Sequence, residues 1–452
     1  MKKKRFSLST THIIMLSFLG IILLGSALLS LPISSASGTA VPYIDALFTA
    51  TTSTCVTGLV TLTTATAWST FGHIVILLLI QVGGLGVITI MCGFMLMLKK
   101  RVSLSSRLLI QDAFNLNTLS GLVRFVKKVL LGTFLVEDVG ALLYMLVFVP
   151  QFGARGIWIS VFNSISAFCN AGIDIIGSNS LINYATNPIV NAVTCALIIL
   201  GGLGYIVWWD LALTAKALKT SKLRAFKGLT LHSKIALFST LVLILAGGIS
   251  ILLFEWSNPA TIGNMSLFDK LQVSFFQSVT TRTAGFATIP QENLTNGSAA
   301  ISLLLMFIGG SPVGTAGGVK TVTIAVLFAS AVSSVKGAEE TSMFNRTISK
   351  EAVRKATAVV CTSFAIMFTS TLLLSAATKA SFIDIAFETV SATATVGLSR
   401  NLTASLNGAG KAIIIATMYL GRVGPISLAF AFKLRRKAQN IIINPTEQIS
   451  VG

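Results

Sequence analysis

Four short stretches carry the residues best suited to chemistry: TCVTGL (54–59), FCNAGI (168–173), TRTAGF (281–286) and TATVGL (393–398). Each ends on one glycine (Gly58, Gly172, Gly285, Gly397) followed by a large apolar side chain, and small or polar neighbours precede it. None of the four contains a nucleophile–base pair or a metal-ligand cluster, so the usable groups are backbone carbonyls and hydroxyls. Glycine adopts backbone conformations closed to other residues, and a turn built on it leaves carbonyls without helical partners. Oxygens gathered in this way can replace the water shell of a desolvated cation.

The surroundings of the four glycines repeat. Ten residues before each stands a phenylalanine: Phe48, Phe162, Phe275 and Phe387. A second glycine motif follows at 83–86 (GGLG), 201–204 (GGLG), 309–314 (GGSPVG) and 421–424 (GRVG), starting 25, 29, 24 and 24 residues after the first glycine. Two spacings kept four times describe an internal repeat.

The elements that must position these motifs are membrane elements. Of 452 residues, 53% are hydrophobic and 11% charged, with a mean hydropathy of +0.83, whereas soluble domains carry about 25% charged residues. Apolar runs long enough to span a bilayer lie near 12–31, 72–98, 129–149, 189–215, 234–254, 299–335, 356–378 and 411–432. Shorter, half-polar segments near 43–59, 157–173, 268–286 and 382–398 lie between the members of successive pairs. The N-terminal run resembles a signal peptide but lacks an obvious cleavage site, and reads as an uncleaved first span. The expected fold is an all-α integral membrane protein of four tandem span–pore-helix–span units, eight transmembrane helices around a central pore. The units are placed at 10–100, 125–218, 232–336 and 352–436, with cytosolic tails at 1–9 and 437–452.

The net charge of +19 follows this topology and is no nucleic-acid footprint. Of 34 Lys and Arg, 26 fall in the N-terminal tail, 99–128, 216–234, 336–355 and the C-terminal tail. Arg155, Lys270, Arg282, Lys379, Arg400 and Lys411 fall on the opposite side or in the half-polar segments, while Lys320 and Arg422 lie within spans. The positive-inside rule puts both termini in the cytoplasm and the four re-entrant segments on the outer side. Asp45, Asp174, Glu255, Asp269, Glu292 and Asp384 are outward-side carboxylates; they read either as a cation-attracting vestibule or as ordinary solvated loop charges.

Non-helical backbone at membrane depth survives only inside protein or against a watery cavity. Four short helices entering from outside, each followed by an extended return, would point their carbonyls and negative C-terminal ends at one centre. One such segment alone reads as readily as helix–helix packing through small residues; four in register do not.

The four units, the TVGL of the fourth and the glycine-interrupted sixth span together resemble the Trk/Ktr/HKT potassium transporter superfamily. Eight spans without an added N-terminal pair look most like its bacterial KtrB-type membrane subunit. The resemblance covers essentially the whole chain. It implies a potassium filter made by Gly58, Gly172, Gly285 and Gly397 with the preceding carbonyls of Val56 and Thr57, Asn170 and Ala171, Thr283 and Ala284, and Thr395 and Val396. In plant relatives a serine in the first position accompanies sodium preference, so Gly58 implies potassium. The filter should be shorter than the TVGYG filter of potassium channels, since all four stretches lack the tyrosine–glycine.

GGSPVGTAGGVK (309–320) places five glycines and a proline in the sixth span, which cannot continue as a regular helix. It reads as a flexible insert lining the ion path. The resemblance makes it an intramembrane gating loop below the filter, with Gly309, Gly310, Pro312, Gly314, Gly317, Gly318 and Lys320 as its key residues. Arg422 matches the family's arginine under the filter, a barrier to cations. The resemblance further implies potassium uptake across the bacterial plasma membrane, sodium stimulation or coupling, a homodimer, and a cytosolic ring of nucleotide-binding regulatory subunits. The rival reading is a sodium- or proton-coupled secondary transporter of another solute, though such folds usually show inverted two-part repeats.

Glu137 and Asp138 in the third span and Asp210 near the end of the fourth are candidates for counter-charges, and Glu388 in the fourth pore helix for a filter brace. The five cysteines form no paired framework and His12, His73 and His232 are scattered, so neither a disulfide set nor a metal site is expected. GGVKT resembles the end of a phosphate-binding loop, but a valine separates the glycines from the lysine. No catalytic residue, cofactor or nucleotide site is expected on this chain.

Overall fold

The computed structural model describes residues 10–98, 121–218 and 228–424, together with Leu108 and Gln111. The tails at 1–9 and 437–452, the fourth unit beyond Gly424 and most of the basic stretches at 99–120 and 219–227 lie outside the described residues. The first unit contains α1 (Thr10–Leu29), α2 (Tyr43–Cys55), α3 (Thr70–Leu85) and α4 (Val87–Met97). The second contains α5 (Leu122–Phe152), α6 (Ala154–Phe168), α7 (Pro188–Leu203) and α8 (Tyr205–Leu218). The third contains α9 (Leu231–Glu255), α10 (Leu267–Thr280), α11 (Asn296–Phe307) and α12 (Thr321–Val335). The fourth contains α13 (Lys350–Ala377), α14 (Phe382–Ala394) and α15 (Gly408–Val423). A hairpin of β1 (Ser342–Met343) and β2 (Arg346–Thr347) joins the third unit to the fourth.

Polar residues at the loop ends start the helices. Ser266 and Ser381 accept from the amides of Asp269 and Asp384 and so open the short helices α10 and α14. Asn187, Thr230, Thr295, Ser349 and Asn407 cap α7, α9, α11, α13 and α15 in the same way, each satisfying an amide that the helix leaves unpaired.

Burial sorts the helices into an outer wall and a centre. The first helix of each unit (α1, α5, α9, α13) buries only 17–33% of its spanning window and exposes side chains such as Leu24, Leu135, Leu253 and Phe364. The short half-polar helices are the opposite, with residues 45–55 of α2 almost all buried. The second span of each unit packs on the short helix of the next: α3 on α6, α7 on α10, α11 on α14, and α15 back on α2. That last contact closes the four units into a ring.

Two second spans differ from the continuous runs expected at 72–98 and 189–215. They bend by 99° between α3 and α4 and by 96° between α7 and α8. The breaks fall at Gly86 (φ +83°) and Gly204 (φ +87°), and α15 ends at Gly424 (φ +90°) in the same conformation. Hydropathy runs unbroken across these glycines, but an extended residue at positive φ cannot carry the helix on. In the third unit α11 and α12 are separate, as the 309–320 motif implies. The repeated phenylalanines also diverge there: Phe48, Phe162 and Phe387 are fully buried, whereas Phe275 is 41% exposed and Phe276 takes the buried place.

Candidate functional site

The four short helices end alike. Two residues before each glycine the chain turns left-handed, at Val56 (φ +55°), Asn170 (+58°), Thr283 (+69°) and Thr395 (+52°). The next amide then bonds back into the last helical turn: Thr57 to the Thr52 carbonyl, Ala171 to Ser166 and Val396 to Ser391 at 2.8 Å each, and Ala284 to Thr280 at 2.9 Å. Three of these left-handed residues are β-branched, a conformation costing about 1–3 kcal/mol that persists only where surroundings enforce it.

The glycines follow at φ of +99°, +63°, +86° and +98°, and they meet. A Cβ placed on Gly58 would lie 2.5 Å from the Ala171 carbonyl oxygen and 3.1 Å from the Gly397 Cα. One on Gly172 would strike the Ala284 carbonyl, one on Gly285 the Val396 carbonyl, and one on Gly397 the Thr57 carbonyl. Each glycine thus touches the carbonyl preceding the next unit's glycine, and the series closes from the fourth unit to the first. Around this ring Asn170 Oδ1 and Nδ2, Thr57 Oγ1 and Thr395 Oγ1 are buried without a hydrogen-bond partner among the described residues.

Hydroxyls of the short helices brace the returning strands, a role the sequence reading missed. Thr52 Oγ1 accepts from the Gly58 amide and Ser391 Oγ from the Gly397 amide, both at 3.0 Å. Ser166 accepts from the Ile173 amide at 3.1 Å and donates to its carbonyl; Thr280 donates to the Phe286 carbonyl at 2.7 Å. The signal was present in the aligned motifs, since Thr52, Ser166 and Ser391 each stand six residues before their glycine.

The second glycine motif has a separate cause. A Cβ on Gly83, Gly201 or Gly421 would collide with the carbonyl of Thr54, Phe168 or Thr393, in the last turn of the same unit's short helix. Glycine there lets the spanning helix approach the pore-helix end.

On one side of the ring lies a cavity of about 260 Å³ whose lining includes all four glycines, Asp174 and Glu292. Asp174 is half-buried, and burial pushes its carboxyl up to about 6 against a hydrogen bond from the Ile176 amide. Asp45, Asp384, Glu255 and Asp269 are each engaged by other side chains. Asp45 pairs with Lys411 at 2.6 Å, joining the first unit to the fourth. Asp384 pairs with Arg400 at 2.8 Å, and Arg400 also donates to the Gln291 and Glu292 carbonyls. Glu255 accepts from Thr261 and Thr295, and Asp269 from Ser266.

On the other side the 308–320 segment lies against the ring. The Gly317 amide donates to Thr283 Oγ1 at 3.3 Å, and a Cβ on Gly317 would collide with Thr395 Oγ1. The loop is tied to the break in the second unit: Ser311 to the Gly202 carbonyl (2.8 Å), Thr315 to that of Gly201 (3.1 Å), and Tyr205 to that of Val313 (2.9 Å). Gly309 and Gly310 are also fixed, bonding to Val319 and from Thr321. Gly314 has room for no side chain against the Gly201 carbonyl, and Gly318 sits at φ +66° against Gly309. Pro312 abuts Gly204 through its carbonyl. Arg422 donates to the Thr315 carbonyl at 2.8 Å and to that of Gly83, so it joins the loop to the first unit. Lys320 turns back on the loop, donating to the Ala316 carbonyl at 2.6 Å. Arg282, which is buried, reaches Thr240 and the Gly309 carbonyl at 3.4 Å.

Of Glu137, Asp138, Asp210 and Glu388, three find neutral partners. Glu137 is buried and accepts from the Gln81 amide at 3.1 and 3.2 Å; Asp138 is exposed. Asp210 accepts from the amide and hydroxyl of Thr230. Glu388 accepts from Ser399 and Thr403 in the returning segment. None of these four forms an ion pair among the described residues.

A family profile described as "TrkH: Cation transport protein" matches residues 3–441. The chain belongs to the TrkH cation transport family. Family membership makes it a membrane transporter of cations and not an enzyme. Among TrkH-family relatives it is similar to "Ktr system potassium uptake protein B" of Bacillus subtilis, with 39% identity over 98% of this chain and 96% of the relative. It is also similar to "Potassium/sodium uptake protein NtpJ" of Enterococcus hirae, with 39% identity over 100% and 99%. The crystal structure of the potassium transporter TrkH from Vibrio parahaemolyticus superposes with a TM-score of 0.75 at 16% identity, covering 96% of this chain and 86% of that one. At that identity the likeness concerns the TrkH fold.

Proposed function

We propose that this chain is the ion-translocating subunit of a potassium uptake system in the bacterial plasma membrane, with both termini in the cytoplasm. The observation that carries the reading is the closed ring in which the carbonyls of Thr57, Ala171, Ala284 and Val396 meet the glycines of neighbouring units. Such a ring offers a desolvated cation several oxygens at once, and the unpartnered Asn170, Thr57 and Thr395 oxygens around it add polar groups. Val56 to Gly58, Asn170 to Gly172, Thr283 to Gly285 and Thr395 to Gly397 form the filter in this reading. Residues 309–320 form the gate, and Arg422 is the cation barrier that also fastens it. Potassium is favoured by the relatives named for potassium uptake and by Gly58, where the sodium-preferring pattern has serine. The NtpJ name supports sodium as a co-ion.

The four units at 10–100, 125–218, 232–336 and 352–436 belong to this reading, as do a homodimer and a cytosolic nucleotide-binding regulatory ring on the basic loops. Its test is growth at low potassium of a bacterium lacking its own potassium uptake, given this gene with its matching regulatory subunit. Growth restored only with the gene is the expected result. Failure despite expression in the membrane would overturn it.

A further inference from the structure

Among the described residues, a large apolar groove lies apart from the four-glycine ring. Where α4 bends away from α3, it opens a cavity of about 1040 Å³ against the first half of α5. Ile90 and Phe94 of α4 face Leu130, Leu131 and Phe134 of α5 across it. Phe94 is 64% and Leu131 61% exposed, an arrangement suited to hydrocarbon and not to water. Gly93 forms part of the wall, and a Cβ there would press on Leu130.

One end of this groove is cationic. Arg124 and Lys127 line it, both are exposed, and neither forms an ion pair among the described residues. Beside them Lys128 stacks over the Trp209 ring at 4.9 Å. Tryptophan and lysine together mark the depth of a membrane interface, where the indole sits at headgroup level. The charged end therefore lies at the headgroups and the apolar part runs into the hydrocarbon. A basic pocket between membrane helices is complementary to an anionic lipid headgroup, and the apolar wall to its acyl chain.

We infer that the groove between α4 and α5 is a binding site for an anionic phospholipid, its phosphate on Arg124 and Lys127 and one acyl chain along Phe94 and Leu130. The inference rests on the membrane reading of the chain. It does not depend on which cation is carried, so its failure and the failure of potassium uptake are separately visible. Two cations at the surface favour an anionic over a zwitterionic headgroup by about 25-fold.

The test is native mass spectrometry of the full-length protein extracted from vesicles of phosphatidylcholine with and without phosphatidylglycerol. The unaltered protein should retain phosphatidylglycerol in preference by an order of magnitude. Arg124→Gln/Lys127→Gln should bring retention of the two lipids close to parity. Ile90→Trp, which fills the groove and keeps both cations, should lower retention of both lipids. Equal phosphatidylglycerol retention in the unaltered and double-glutamine proteins would overturn the inference. So would an efficient cross-link between Phe134→Cys and cysteines placed within 99–120, since the chain itself would then fill the groove.

Discussion

Replacing Gly58 by serine probes the ring where the structure leaves least room. At φ +99° a side chain is strained whatever surrounds it, at a cost of about 1–3 kcal/mol. The new Cβ would also stand 2.5 Å from the Ala171 carbonyl oxygen, well inside van der Waals contact, so that oxygen must move. It is one of the four carbonyls of the ring, and whatever strain is relieved by displacing it is lost from the geometry proposed to hold potassium. If the clash relieved in this way is of the same order, about 1–3 kcal/mol, the loss is roughly 5- to 150-fold in affinity. Sodium, smaller and less demanding of that spacing, should lose less, and sodium flux should rise relative to potassium flux. Initial uptake rates at graded potassium, with and without competing sodium, measure the ratio. Gly20→Ser, where a Cβ meets nothing within 4 Å, is the control and should leave it unchanged. An unchanged ratio in Gly58→Ser, with normal membrane expression, would remove Gly58 from the ion path.

The other expectations concern the loop, the vestibule and the ties between units. Deleting 311–317 removes the bonds to Gly201 and Gly202, and Arg422→Ala removes the tie to Thr315; both should give uptake that no longer responds to the proposed regulatory subunit, and fully regulated flux in either would place the gate elsewhere. Asp174 has its carboxyl raised to about 6, so it is charged above that pH and neutral below it. Uptake at subsaturating potassium should fall as the outside pH drops from about 7 to 5, and Asp174→Asn should flatten that fall; a variant with the same pH profile as the unaltered protein would refute the role. Lys411→Met strands the buried Asp45 and should destabilise the protein by about 3–5 kcal/mol. Asp45→Asn/Lys411→Met should recover much of that in thermal unfolding, and equal losses in both would show that the pair does not matter.

The sequence carried whatever was set by local chemistry repeated four times. Gly58, Gly172, Gly285 and Gly397 were legible because each must sit at positive φ against a neighbouring carbonyl, and only glycine fits. The 309–320 insert was legible because its composition forbids a helix. The bends at Gly86 and Gly204 were hidden, since the flanking residues are equally apolar on both sides and hydropathy does not register a backbone angle. The ties were hidden for a different reason. Asp45 meets Lys411 across 366 residues, and Glu137 meets Gln81 instead of a cation, pairings fixed only when the units close into a ring. Thr52, Ser166 and Ser391 were in plain view at one spacing, but a hydroxyl inside a short helix gains meaning only once the returning strand lies beside it.

The most direct test of the ring is cation binding to the purified protein, followed by isothermal titration calorimetry with potassium and then sodium. The account predicts saturable potassium binding, tighter than sodium, and weakened by Gly58→Ser. Sodium bound as tightly as potassium, or no potassium binding to folded protein, would contradict it.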